Sequence, residues 1–322
     1  SDVIDNLASA DVNTVAEIQA LADAAQATVA YTGSNAAPNA TQLNAIAGGS
    51  AVNVDNLAAI QAAVAAANND GVPVTQAELQ AIISGINTAA AAIGARAELN
   101  TANALVPNAL EVTDYTAAGI TGVTASNLAA INDALNSGTP GDAASAVGVS
   151  GAEADTPAEI QAIVNSYNAI LAEANDTANT AGNGTPDADP SVNPSASDYA
   201  NIGANIGLAA TDAENLALLN DIVGASQKAD VDTVAEINNL ARIANAIQAI
   251  AAGQGASVSP ALTVADLTAI GLDTTGVTAN NLPTLLAAIA AKADDGTQTD
   301  SLAELQTLVD NLDKVAPVAP TL

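Results

Sequence analysis

The chain has 322 residues, long for one ordinary domain, and carries 35 Asp and Glu against 5 Lys and Arg, a net charge of −30. It has no His and no Cys, which removes the commonest general base, the thiolate nucleophile, the usual zinc ligands and any disulfide. Nucleic acid and anionic membrane surfaces are both disfavoured, because each is recognised through Lys and Arg.

Disorder requires low hydrophobicity as well as charge, and 49% of this chain is hydrophobic. Much of that is Ala, which favours helix but fills little volume. The only aromatics are Tyr31, Tyr115, Tyr167 and Tyr199. Small aliphatic cores are therefore expected, in several small units. No apolar run approaches the roughly 20 residues of a membrane span. The start, "SDVIDNLAS", has neither the basic nor the apolar region of a signal peptide and reads as a cut within a longer protein.

Along the chain the first recognisable element is "TVAEI" at 14–18. Its Thr14 and Glu17 form a capping box: the Thr oxygen accepts a backbone N–H three residues on, and the Glu reaches back to the cap. An apolar stripe follows, so a helix begins here. The segment 1–37 is read as the third helix, C, of a partial repeat.

Residues 38–106 hold a complete unit. "TQLNAIAGG" (41–49) reads as a short helix A ended by Gly, and "NVDNLAAI" (53–60) as helix B. Thr75 and Glu78 then open a helix C. Residues 107–190 repeat the order: "TDYTAAGI" (113–120), "TASNLAAI" (124–131) capped by Thr124, and a helix C opened by Thr156 and Glu159. Pro157 sits at the first helical position, where its missing N–H costs nothing. Ile160, Ile163, Val164, Tyr167, Ile170 and Leu171 make that helix's apolar stripe. A long B–C loop (137–155) and a Pro-rich joint (181–194) extend this copy.

The third unit, 191–259, has "SDYANIGANIG" (197–207), "TDAENLALL" (211–219) capped by Thr211, and Thr233 with Glu236. Its stripe is Ile237, Leu240, Ile243, Ala244, Ile247 and Ile250. The fourth, 260–316, has "ADLTAIGL" (265–272), "TANNLPTLL" (278–286) capped by Thr278, and Ser301 with Glu304. Pro283 places its helix B start near Asn281. Residues 317–322 begin a linker. The predicted fold class is all-α: tandem small three-helix bundles arranged as an elongated array. The short joints near Pro107 and Pro260 allow neighbouring units to share surface.

The stretches "AAGITGVTASNLAAIN" and "TPAEIQAIVNSYNAILAEA" resemble the second half of the albumin-binding GA module, a three-helix bundle of bacterial surface proteins. "TVAEINNL" (233–240) is the nearest match to that module's last helix. Tandem acidic, Cys-free modules of this kind are also similar to those of giant bacterial adhesins exported by type I secretion, of the RTX-like sort. The tail "KVAPVAPTL" (314–322) is similar to the lead-in to an immunoglobulin-like domain in such proteins. The resemblance implies an extracellular or cell-surface location and neighbouring domains of a larger polypeptide as partners. It implies a stalk or spacer, or a binding module for a host or surface protein. A self-assembling subunit of an extracellular filament or sheath is the remaining alternative. GA modules contact albumin through aromatic and basic residues, and "TASNLAAINDAL" (124–135) has neither.

Candidate sites are few. The turns at Gly71 and Gly296 fail the EF-hand spacing of oxygen ligands and read as solvated turns. Asp187 and Asp189 of "DADP", beside Asp198, offer oxygens for a loosely held Ca²⁺, and no other cofactor is expected. The five capping Glu residues belong to separate units, so no paired-carboxylate catalysis is expected and the chain is read as non-enzymatic. Tyr115, Tyr167 and Tyr199 are assigned to cores, and Tyr31 is unassigned.

Overall fold

The structure, a computed structural model, describes residues 12–69, 71–98, 110–137, 149, 153–174, 193–292 and 298–312. Among these residues the regular elements are helices, with no strand. The helices that follow the five Thr/Ser–Glu brackets are α1 (Val15–Ala30), α4 (Gln76–Glu98), α7 (Pro157–Glu173), α10 (Val234–Ala251) and α13 (Leu302–Asp310). The short Gly-ended helices are α2 (Ala40–Ala47), α5 (Val112–Ala117), α8 (Ala196–Asn201) and α11 (Val264–Ala269). The Asn-Leu phrases begin α3 (Leu57–Asn68), α6 (Leu128–Leu135), α9 (Ala213–Gly224) and α12 (Leu282–Ala290). The chain forms two compact units, Ser1–Leu128 with Gly138–Val164, and Ala129–Ser137 with Asn165–Leu322.

In the first unit a buried cluster joins Leu21 and Ala24 of α1 to Leu43 and Ile46 of α2, Ile60 and Val64 of α3, and Leu79 and Ile83 of α4. This core does not close within 38–106, because α1 supplies one wall of it. Asn68, buried at the end of α3, fastens the assembly: its amide donates to the carbonyls of Thr28 and Tyr31 at 2.8 Å, and its oxygen accepts the Val74 N–H at 2.8 Å. Tyr31 ends α1 and packs partly buried against the same core. Gly48 closes α2 in the left-handed region at φ 74°, which only glycine adopts without strain.

The next helices of this unit come within backbone range. A Cβ on Gly119 would lie 2.7 Å from the Ala59 Cβ, and one on Gly94 would lie 2.7 Å from the Asp155 Cβ. Glycine at both positions lets α3 and α4 meet the turns before α6 and α7.

In the second unit α10 is the central element, buried from Val234 to Ala251 on more than one face. It packs against α9, α11 and α12. The whole expected stripe of α10 is buried, as are all six stripe residues of α7. Tyr167 and Tyr199 are fully buried here, and Tyr115 is fully buried in the first unit. Their hydroxyls need partners: Tyr167 donates to the Val231 carbonyl at 3.2 Å and Tyr199 to the Asn220 side chain at 2.7 Å. Burial pushes all three phenols well above their ordinary pKa.

Candidate functional site

The five brackets are the most regular polar feature. At the start of α1, Glu17 accepts the Thr14 N–H at 2.9 Å while Thr14 Oγ1 accepts the Glu17 N–H at 3.2 Å. Thr75 and Glu78 do the same at 2.8 and 3.2 Å, Thr156 and Glu159 at 3.1 and 3.3 Å, and Thr233 and Glu236 at 3.0 and 3.2 Å. Ser301 and Glu304 differ: the Ser301 oxygen accepts the Glu304 N–H at 3.4 Å, and its hydroxyl donates to the carboxylate at 3.1 Å. The backbone and hydroxyl bonds of Thr75 hold the Glu78 carboxyl below its usual range.

Among the short helices, α2 has a box of Asn39 with Gln42, and α8 and α11 have boxes with Asp in place of Glu. Ser195 pairs with Asp198 before α8, and Thr263 with Asp266 before α11. The Asp198 carboxylate accepts the Ser195 N–H at 2.8 Å and hydroxyl at 2.6 Å, and its other oxygen accepts the Ser166 hydroxyl at 3.0 Å. Burial pushes Asp198 up, but these bonds outweigh it and leave the carboxyl below its ordinary range. Asp198 is thus occupied as a cap, while Asp187 and Asp189 lie outside the described residues. No group of three or more Asp or Glu among the described residues is arranged to hold a metal ion.

The Asn-Leu phrase has its own chemistry. Thr211, Thr278 and Thr124 do not serve as the caps expected of them. Asp212 caps α9, Asn281 is the N-cap position of α12, and α6 starts at Leu128, beyond Thr124. Instead the Asn side chain closes the preceding loop. Asn127 accepts the Thr124 N–H at 2.7 Å and donates to the Gly122 carbonyl at 2.8 Å, and Asn281 repeats this with Thr278 at 2.6 Å and Gly276 at 2.9 Å. Asn56 and Asn215 also reach helix C, at Asn87 (2.8 Å) and Asn245 (2.6 Å).

A further set of bonds links successive repeats. The Asp133 carboxylate of α6 accepts the N–H of Val234, the first residue of α10, at 2.7 Å. Asp221, at the matching position of α9, accepts the N–H of Leu302, the first residue of α13. Ahead of α3, the Asp55 carbonyl accepts the N–H of Ala158 in the first turn of α7 at 2.9 Å. These N–H groups have no partner within their own helix, and a carboxylate at that end also meets the positive pole of the helix dipole. Burial raises the Asp133 pKa, opposed by the Val234 N–H and reinforced by the charge of Glu236. Asp155 and Asp300, just before the Thr156 and Ser301 caps, are also raised, mainly by burial and then by Glu159 and Glu304.

An open cleft of about 480 Å³ in the second unit is lined by Gln227, Asp230, Glu236, Asn239, Thr268 and neighbours. Its carboxylates are engaged locally: Asp230 accepts the Gln227 N–H at 3.3 Å, and Glu236 is bound to Thr233. Beside it Arg242 donates to Asn239 and to Asp266, joining α10 to α11. Burial pushes Asp266 up, but the bonds from Thr263 and Arg242 dominate and hold it below its ordinary range. The arrangement fastens helices to one another. No described helix is long and apolar enough to cross a membrane. Among known proteins the chain matches no family model, no curated protein and no solved structure.

Proposed function

We propose that the chain is a non-catalytic structural segment, a stalk or spacer built of helical repeats in a large secreted or surface-attached bacterial adhesin. The observation that carries this reading is the fate of the acidic groups: those of the brackets close helix starts, and Asp133 and Asp221 tie one repeat to the next. A chain built this way gains length by adding units, each held to its neighbour by the same kind of bond. The net charge of −30 keeps such chains apart in solution. In this reading the three-helix repeats are strung along a line and hold a binding domain away from the cell.

Small-angle scattering in dilute solution tests it. A compact chain of this length has a radius of gyration of about 20 Å. A spacer gives a clearly larger value, and a measurement near the compact figure removes the reading.

A further inference from the structure

The pentapeptide Thr-Val-Ala-Glu-Ile occurs twice, at 14–18 and 233–237, in two different environments. In the second copy Val234 is 5% exposed and Ile237 is 0% exposed. In the first, Val15 is 86% exposed and Ile18 is 44% exposed. The same five residues open a capped helix in both places, so the difference lies in what covers them.

The other helices of this class show what the cover is. In each, an amide side chain five residues after the cap clasps the loop that follows the short helix of its own repeat. Gln80 donates to the Ala47 carbonyl at 2.7 Å, Gln161 donates to the Thr121 carbonyl at 3.0 Å, and Asn238 accepts the Asn205 N–H at 2.7 Å. Gln306 accepts the Asp273 N–H at 2.8 Å. The Asn-Leu helix of the same repeat then packs beside it, as α9 does on α10 and α12 on α13. In α1 the equivalent side chain, Gln19, turns back and donates to Asp23 of its own helix at 2.8 Å. Among the described residues, an apolar pair and a clasp residue therefore stand at the start of α1 without the loop clasp, and without the Asn-Leu helix of the same repeat, that the other helices of this class have.

We infer that the first turns of α1 are a docking surface for a two-helix segment of this repeat type: a short capped helix, its Gly turn and an Asn-Leu helix, supplied by another repeat. The segment α8–α9 is the natural surrogate, because its turn clasps Asn238 and α9 packs on α10, the helix that the identical pentapeptide opens. Its affinity is opposed by like charge, since both partners are acidic, so binding tightens as salt screens them. This surface is independent of the spacer reading. A compact scattering profile leaves it standing, and its failure leaves the spacer standing.

The test titrates the full chain into a labelled peptide spanning residues 193–226 and reads fluorescence anisotropy at about 50 mM and about 0.5 M NaCl. Saturable binding, stronger at high salt, is expected. It should weaken at least about tenfold in the double variant V15D/I18D, and Q19A should weaken it without adding charge. V54D, at a residue 84% exposed outside the docking surface, should bind as the unmodified chain does. Circular dichroism checks that the variants keep their helix content, as expected for substitutions of exposed side chains. No saturation at about 1 mM chain overturns the inference, and so does a V15D/I18D chain that binds equally well, because the peptide is then exchanging with its own counterpart.

Discussion

Asp133 is the residue whose placement is most demanding. It lies on α6, is pushed up in pKa by burial, and still accepts the Val234 N–H at 2.7 Å. D133A leaves that N–H without its acceptor and should cost about 1 kcal/mol, as loss of a helix cap does, read as a lower urea midpoint. D133N keeps an oxygen in place and should recover most of the loss. The two carboxyl forms also predict a pH effect. A pKa raised in the folded state means that the stabilising contribution is complete below the ordinary carboxylate value of about 4 and declines as pH rises through the raised value. The advantage of the unmodified chain over D133N should therefore grow on acidification from pH 7 towards about 4. A difference that does not change with pH contradicts this. Asp198 and Asp266 act in the other direction: with folded-state values lowered, their contribution is present above the ordinary value and lost as pH falls through the lowered one.

At the scale of single helices, the same box supports starts of unequal importance. T233A removes a cap at the head of the buried α10 and should cost about 1 kcal/mol of the second unit's stability. T14A removes the matching bond at the exposed head of α1, and should show mainly as faster hydrogen exchange of the first-turn amides of α1. Equal losses in global stability would show that the two starts are equally integrated. The helices after the Thr/Ser–Glu brackets were legible in the sequence because box and stripe are both local: Ile160 to Leu171 repeat at helical spacing, and all six stripe residues are buried. The boxes of Ser195 with Asp198 and Thr263 with Asp266 carry the same spacing but end in Asp, outside the usual Glu or Gln pattern. The Asn-Leu phrase was visible as a repeat, but its work was not. That Asn127 and Asn281 close loops depends on the fold of the five residues before each, which periodicity does not encode.

For the molecule as a whole, the consequential fact is that cores are shared. Leu21 and Ala24 of α1 are buried with residues of α2, α3 and α4. No local pattern announces this, because which helix lies against which is decided by contacts far apart in sequence. Deleting residues 1–37 should therefore uncover Leu43 and Ile46 and cost at least about 2 kcal/mol, the burial of roughly one aliphatic side chain. Amide exchange at those two residues should accelerate about 30-fold. Unchanged protection would mean that 38–98 is self-sufficient. The acidic links between repeats set a further constraint. The position held by Asp133 and Asp221 is Ala62 in α3 and Ala287 in α12, so among the described Asn-Leu helices only α6 and α9 offer a carboxylate there to the bracket helix of the next repeat. The repeats are consequently not interchangeable beads. In-frame duplication of a middle unit passes on its acceptor to the junction it creates, whereas the last unit, moved inward, brings a methyl group to a backbone donor. Growth of such a gene by recombination is therefore constrained at the two junctions that an aspartate side chain closes.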